Sequence, residues 1–263
     1  MNNANGKRIV IKIGSSTLTY ENGKPNLKRM EHIARVVSEL KNSGNEVVLV
    51  SSGAIAVGVN RLGLRKRPTD TKRKQAAAAV GQCDLMSIYD RFFSEYGYVA
   101  AQILLNRDVV DHKERKKNVS NTMNELLKMN AVPIVNENDS VAIEEILFGD
   151  NDNLSAIVAT LCKADMLIIL TDIDGLYDSD PRTNKDAKKL SIVKEISSDM
   201  MEAAGGSGTS RGTGGMHTKL EAAQYATMRG IDVVITNGEE PEVIYDILDG
   251  DTSKCTIFLS RKD

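Results

Sequence analysis

The 263-residue sequence has no tryptophan, four phenylalanines and seven tyrosines, so aromatic residues make up only 4% of it. Platforms on which nucleic-acid bases stack are scarce in such a chain. Cysteines are few as well. Cys83, Cys162 and Cys255 are far apart and form no CxxC, which argues against a disulfide framework or a zinc cluster and predicts small core hydrophobes. Charge of one sign is also missing. Thirty-four Lys and Arg stand against 36 Asp and Glu, a formal net charge of -2, so no global field draws the chain to nucleic acid or an anionic membrane. Any anion site must be local. No apolar run approaches the roughly 18 residues of a membrane span. The start, MNNANGKR, has no apolar signal core, and a cytoplasmic location is expected.

What is present is a series of Ile- and Val-rich runs: RIVIKI (8–13), EVVLVS (46–51), YVAAQILL (98–105), AVPIVN (131–136), MLIILT (166–171) and IDVVIT (231–236). Near-continuous apolarity fits strands buried on both faces, which belong to parallel sheets covered by helices. Helical periodicity fills the intervals, at 27–40 closed by Gly44, and at 72–94, 118–129, 153–164 and 216–229. The alternation predicts an α/β fold, a three-layer αβα sandwich around a mainly parallel sheet, in one domain over residues 1–263.

Several runs end in small polar residues: Gly14-Ser15-Ser16, Ser51-Ser52-Gly53-Ala54, Asn136-Glu137-Asn138-Asp139, Thr171-Asp172 and Asn237-Gly238. Each alone is ordinary turn chemistry. In a parallel sheet, however, the carboxyl ends of the strands share one edge, and their recurrence predicts a crevice there.

Two lysines stand where phosphate could be handled. The Gly-rich stretch 204–215 runs into a helix starting near Met216 and carrying Lys219, and glycines plus a helix N-terminus suit an anion. Neither GxxxxGK[ST] nor GxGxxG occurs, which excludes the P-loop and dinucleotide fingerprints. Lys12 lies inside the first apolar run, where a cation needs a partner unless the strand is an edge and the ammonium reaches water. The segment Phe148 to Asn153 holds Asp150, Asn151, Asp152 and Asn153. One of these residues is expected to cap the following helix, and carboxylates here could orient the lysines. The offsets of a calcium loop are missing. Basic runs at 65–67, 72–74 and 113–117 read as solvated faces or subunit contacts, and His32 and His112 as surface residues.

The motifs IKIGSSTLT (11–19), VSSGAIAVG (50–58), AAVGQ (78–82), PIVNENDSV (133–141), FGDNDNLSA (148–156), LTDIDGLYDSDPR (170–182) and GTGGMHTK (212–219), in this order, resemble the glutamate 5-kinases of the amino acid kinase family. The resemblance implies ATP-dependent phosphorylation of the side-chain carboxylate of L-glutamate, the first step of proline biosynthesis, with Mg²⁺. It implies glutamate contacts at Ser52, Gly53, Asp139 and Asn151, mainly in the N-terminal part. ATP contacts are implied at Lys12, Thr171, Asp172, Thr213, Gly214, Gly215, Met216, His217, Thr218 and Lys219, mainly from about residue 165 onward. Lys12 and Lys219 would stabilise the transferring phosphoryl group, and Asp152 would hold both. No metal-binding side chain is implied.

A homo-oligomer, dimer or tetramer, is also implied, as is feedback control through roughly Ser140 to Gly149. Many members carry a C-terminal PUA-type domain, whereas this sequence ends at Asp263. His217 stands where a smaller residue is common. Neighbouring readings are a kinase for another small carboxylate or carbamate, and a non-catalytic nucleotide or amino-acid sensor. An RNA-binding module fits neither the charge nor the aromatic content.

Overall fold

The computed structural model describes residues 6–106, 109, 111–141, 151–179, 181, 183–204 and 215–261. The six apolar runs form β1 (Arg8–Ile13), β2 (Glu46–Val50), β3 (Ala100–Leu105), β4 (Val132–Glu137), β5 (Met166–Thr171) and β9 (Asp232–Asn237). β-Branched side chains favour this extended, pleated backbone. Four short strands, β6 (Leu176–Tyr177), β7 (Lys189–Leu190), β8 (Ile192–Val193) and β10 (Cys255–Phe258), had no comparable signal.

Eight strands form one sheet in the order β3-β4-β2-β1-β5-β9-β10-β8, while β6 and β7 pair separately. The six from β3 to β9 are mutually parallel, and β10 runs antiparallel to β9. The mainly parallel αβα arrangement is therefore as expected, with a reversal at one side that the sequence did not announce. β1 is central, paired with β2 on one side and β5 on the other. The strands up to residue 137 lie on one side of β1 and those from residue 166 lie on the other, so the strand order switches at β1 and β5.

The helices are α1 (Ser15–Leu18), α2 (Leu27–Asn42), α3 (Ala54–Arg61), α4 (Thr71–Glu95), α5 (Lys113–Lys128), α6 (Asn151–Cys162), α7 (Ser198–Ala204), α8 (Met216–Thr227) and α9 (Val243–Leu248). Local chemistry sets several ends. Asn26 and Asp70 accept the amides of Arg29 and Arg73 at 3.2 and 3.0 Å, capping α2 and α4, and Gly44 leaves α2 at φ 89°.

Alternation along β1 divides the core. Ile9, Ile11 and Ile13 pack with Met30, Ile33 and Val37 of α2, whereas Val10 packs on the opposite layer with Leu154 and Val158 of α6 and Leu220 of α8. Each such side chain contributes about 1.5–3 kcal/mol on full burial. Lys12 has the same parity as Val10, so it is directed to the α6 and α8 layer.

Cys162 and Cys255 are buried as expected, but Cys83 is exposed on α4, where the helix turns it to solvent. His32 is half-buried, its Nδ1 2.9 Å from Oε1 of Glu242, because α9 packs over α2 and screens part of that face. Lys113 to Lys117 are exposed and open α5. Among the described residues no helix is long and apolar enough to cross a membrane.

Candidate active site

Lys12, Asp152 and Lys219 meet at the carboxyl edge of the central strands. Because β1 is paired on both sides, the edge-strand reading of Lys12 fails, and only 3% of the residue is exposed. Its ammonium passes close to Gly14, where an added Cβ would lie 3.8 Å from Nζ. Asp152, in the first turn of α6, is fully buried and lies 2.6 Å from Lys12 through Oδ1 and 3.1 Å from Lys219 through Oδ2. Thr218 adds its hydroxyl to Oδ2 at 3.2 Å. Lys219 sits in the first turn of α8, 5% exposed.

Two ammoniums thus share one carboxylate, one on each oxygen. Burying charge is costly unless it is paired, and this geometry pairs each lysine while fixing both relative to the sheet edge. A pair of fixed cations can stabilise negative charge that develops between them.

Beside this triad Asn151 ties three segments together. Its Nδ2 lies 2.6 Å from Ser51 O, 2.9 Å from Ser52 Oγ and 3.1 Å from Asn136 Oδ1. Asn136 in turn donates to Gln82 Oε1 at 2.9 Å, and Ser51 Oγ lies 3.1 Å from the Tyr89 hydroxyl. The ends of β2 and β4 are thereby locked to the start of α6.

Ser52, Asn136 and Asn151 line a cavity of about 450 Å³, which also takes in Ser15, Ser16, Gly53, Glu137 and Asp139. Gly53 adopts φ 92°, a left-handed conformation that glycine tolerates, and so lets the chain turn from β2 into α3 along the cavity. Burial pushes the Glu137 carboxyl up to about 7, with the charge of Asp139 adding to the rise. Burial pushes Asp139 up to about 6, and Arg67 pulls it partly back.

Thr171 and Asp172 end β5, next to Ile13 and Gly14 at the end of β1. Thr171 donates to Asp172 Oδ1 at 3.0 Å, and Gly14 N binds Leu170 O at 3.3 Å. Gly215 precedes α8, and Met216, His217, Thr218 and Lys219 form its first turn. His217 Nδ1 faces Met201 O at 3.3 Å, and its Nε2 is 3.5 Å from Glu221. Thr213, Gly214 and most of the Ser140 to Gly149 loop lie outside the described residues.

The structure thus brings together Lys12, Asp152 and Lys219, and separately Ser52, Gly53, Asp139 and Asn151 around the cavity. Thr171 and Asp172 stand at the adjoining strand end. Sequence reasoning assigned no role to Asn136, Glu137 or Gln82, although the first two were visible in a polar strand end. It also read Arg65 to Arg67 as a solvated face or a subunit contact. They are exposed but line the cavity rim, because α3 and α4 cross so that their connecting loop hangs over it. Nothing in a run of three basic residues specifies that direction.

Residues 7–237 match the amino acid kinase family. The chain is 58% identical over 260 residues to a glutamate 5-kinase of Clostridium perfringens, covering 97% of this chain and 96% of the relative. To a glutamate 5-kinase of Listeria innocua it is 51% identical over 263 residues, covering 98% and 95%. Among solved structures, a carbamate kinase from Giardia lamblia bound to AMP-PNP superimposes with a TM-score of 0.67 at 16% identity, over 97% of this chain and 99% of that one, a likeness of fold. With a match from end to end of the parallel core and with relatives of this closeness, the chain belongs to the amino acid kinase family.

Proposed function

We propose that this chain transfers the γ-phosphoryl group of ATP to the side-chain carboxylate of L-glutamate, giving γ-glutamyl phosphate and ADP, the first step of proline biosynthesis. The observation that carries the reading is the convergence of Lys12 and Lys219 on Asp152 beside a polar cavity at the carboxyl edge of the sheet. The glutamate 5-kinase relatives point the same way.

The acceptor carboxylate has a free pKa of about 4.3 and is ionised at neutral pH, so no general base is required. One of its oxygens attacks the γ-phosphorus, the bond from that phosphorus to the β–γ bridging oxygen breaks, and the electron pair leaves with ADP. No proton changes hands. The barrier lies in bringing two anions together and in the charge that shifts to the bridging oxygen, so positioning and cationic stabilisation dominate. Lys12 and Lys219 supply that charge, and Asp152 holds both in place.

In this reading Ser52, Gly53, Asp139 and Asn151 hold glutamate in the N-terminal part. Thr171, Asp172 and the segment Thr213 to Lys219 hold ATP in the part from about residue 165. Among the described residues no group of three or more His, Cys, Asp or Glu is placed to hold a metal ion. In this reading Mg²⁺ would arrive with ATP and would neutralise phosphate charge.

The test is an assay with ATP, Mg²⁺ and L-glutamate in which hydroxylamine traps the acyl phosphate. Hydroxamate that depends on both substrates is expected, and its absence rejects the function. In the same assay Lys219→Ala should lower kcat by roughly 10²-fold or more with a smaller change in KM for glutamate, since its charge matters most in the transition state. An unchanged kcat removes Lys219 from the role.

A further inference from the structure

Asn136 and Asn151 are held in one direction by main-chain groups whose roles are fixed. A backbone amide only donates and a backbone carbonyl only accepts. Glu137 N lies 2.9 Å from Asn136 Oδ1, which must therefore be an oxygen, and Ser51 O lies 2.6 Å from Asn151 Nδ2, which must be a nitrogen. That nitrogen also reaches Asn136 Oδ1 at 3.1 Å and Ser52 Oγ at 2.9 Å. The amide nitrogen of Asn136 is left facing α4, where it needs an acceptor. Gln82 Oε1 supplies one at 2.9 Å.

Gln82 owes its place to the crossing of α3 and α4. A Cβ on its neighbour Gly81 would fall 1.8 Å from Ala54 O, so α4 lies directly against the start of α3. Gln82 is half-buried and stands behind the cavity lining, to which Asn136, Asn151 and Ser52 belong. Asn136 is only 2% exposed, and without Gln82 its nitrogen would be a buried donor with no partner among the described residues. Side chains rotate to avoid that state, and rotation here takes Oδ1 away from Asn151. With its nitrogen committed, Asn151 has its Oδ1 to offer in the cavity, and the ammonium of an amino acid is a matching donor.

We propose that Gln82 is a positioning residue for the amino-acid substrate, setting through Asn136 the direction of the Asn151 amide and the seat of the Ser52 hydroxyl. This inference rests on the glutamate-kinase reading above.

The test compares wild type, Gln82→Met, Gln82→Glu, Asn136→Ala and the Gln82→Met/Asn136→Ala double variant, with hydroxamate as readout. Methionine keeps the length of the side chain and removes the acceptor, whereas glutamate keeps the acceptor. Gln82→Met should raise KM for L-glutamate roughly 5- to 30-fold and leave KM for ATP within about twofold, while Gln82→Glu stays within about threefold of wild type for both. Gln82→Ala carries the same expectation as Gln82→Met and replaces it if the longer side chain prevents folding. In the Asn136→Ala background, Gln82→Met should change KM for glutamate by less than about twofold, because the group through which it acts is gone. Three results each overturn the inference: Gln82→Met with KM for glutamate within about twofold of wild type, Gln82→Glu as impaired as Gln82→Met, or additive effects in the double variant. Wild type that forms no hydroxamate from glutamate removes the function and this inference together, whereas active wild type with any of those three results removes the inference alone.

Discussion

Asp152 is fully buried between two ammoniums, and the stability of its surroundings depends on that charge. Replacing it by asparagine keeps the shape but leaves two buried lysines facing a neutral amide. Breaking a buried pair in this way costs about 3–5 kcal/mol. Asp152→Asn is expected to melt well below wild type and to lose most of its kcat, and melting curves together with steady-state kinetics check it. A variant as stable as wild type would show that the lysines find their counter-charge elsewhere.

Glu137 and Asp139 make a second prediction, on pH. Their folded-state values of about 7 and about 6 lie above those of free carboxyls, so the folded chain binds more protons than the unfolded one between about pH 4 and about pH 7. The contribution of these groups to stability therefore falls as pH rises through that window. Glu137→Gln removes one ionisation, so its melting temperature relative to wild type should rise between about pH 5 and about pH 8. A constant difference contradicts the assignment. Substrate binding responds oppositely, because an ammonium favours the ionised carboxylates. The kcat/KM for glutamate should accordingly climb across the same interval, and a flat profile would deny Glu137 and Asp139 a part in capture.

At the scale of elements, the crossing of α3 and α4 sets the cavity rim. A Cβ at Gly58 would lie 1.8 Å from Ala77 O, and one at Gly81 1.8 Å from Ala54 O, so the two helices touch backbone to backbone. Gly58→Ala must push them apart. Overpacking of this kind costs about 1–3 kcal/mol or more, and here it also shifts the loop carrying Arg65 to Arg67. Lower stability in urea together with a raised KM for glutamate is expected, and no change in either would mean that the loop is positioned independently of the crossing.

Legibility differed sharply among elements. RIVIKI and MLIILT were readable to the residue as β1 and β5, since each is dominated by Ile, Val and Leu and ends at or just before a polar turn. α3 was not readable as a helix. Its eight residues follow a strand end, and the six before Asn60 and Arg61 are all small or apolar, which leaves periodicity little to act on. Nor was the reversal at β10, whose CTIF run is compatible with either direction.

Across the whole molecule, the order β3-β4-β2-β1-β5-β9-β10-β8 places the two halves of the chain on either side of β1. Lys12 comes from the centre, Asn151 and Asp152 from the helix leading from one half to the other, and Lys219 from the second half. By itself the sequence determined the strand and helix alternation, the parallel class, the polar strand ends and the two lysines in unusual surroundings. These follow from local periodicity and from the cost of burying a cation. Family resemblance implied that Asp152 holds both lysines, and tertiary structure alone decided that each takes a separate oxygen and that Asn151 locks Ser52 to Asn136. It also decided that an outwardly ordinary basic run borders the cavity. Each of these depends on which helices cross and how closely, and that is settled by packing between segments far apart in the chain.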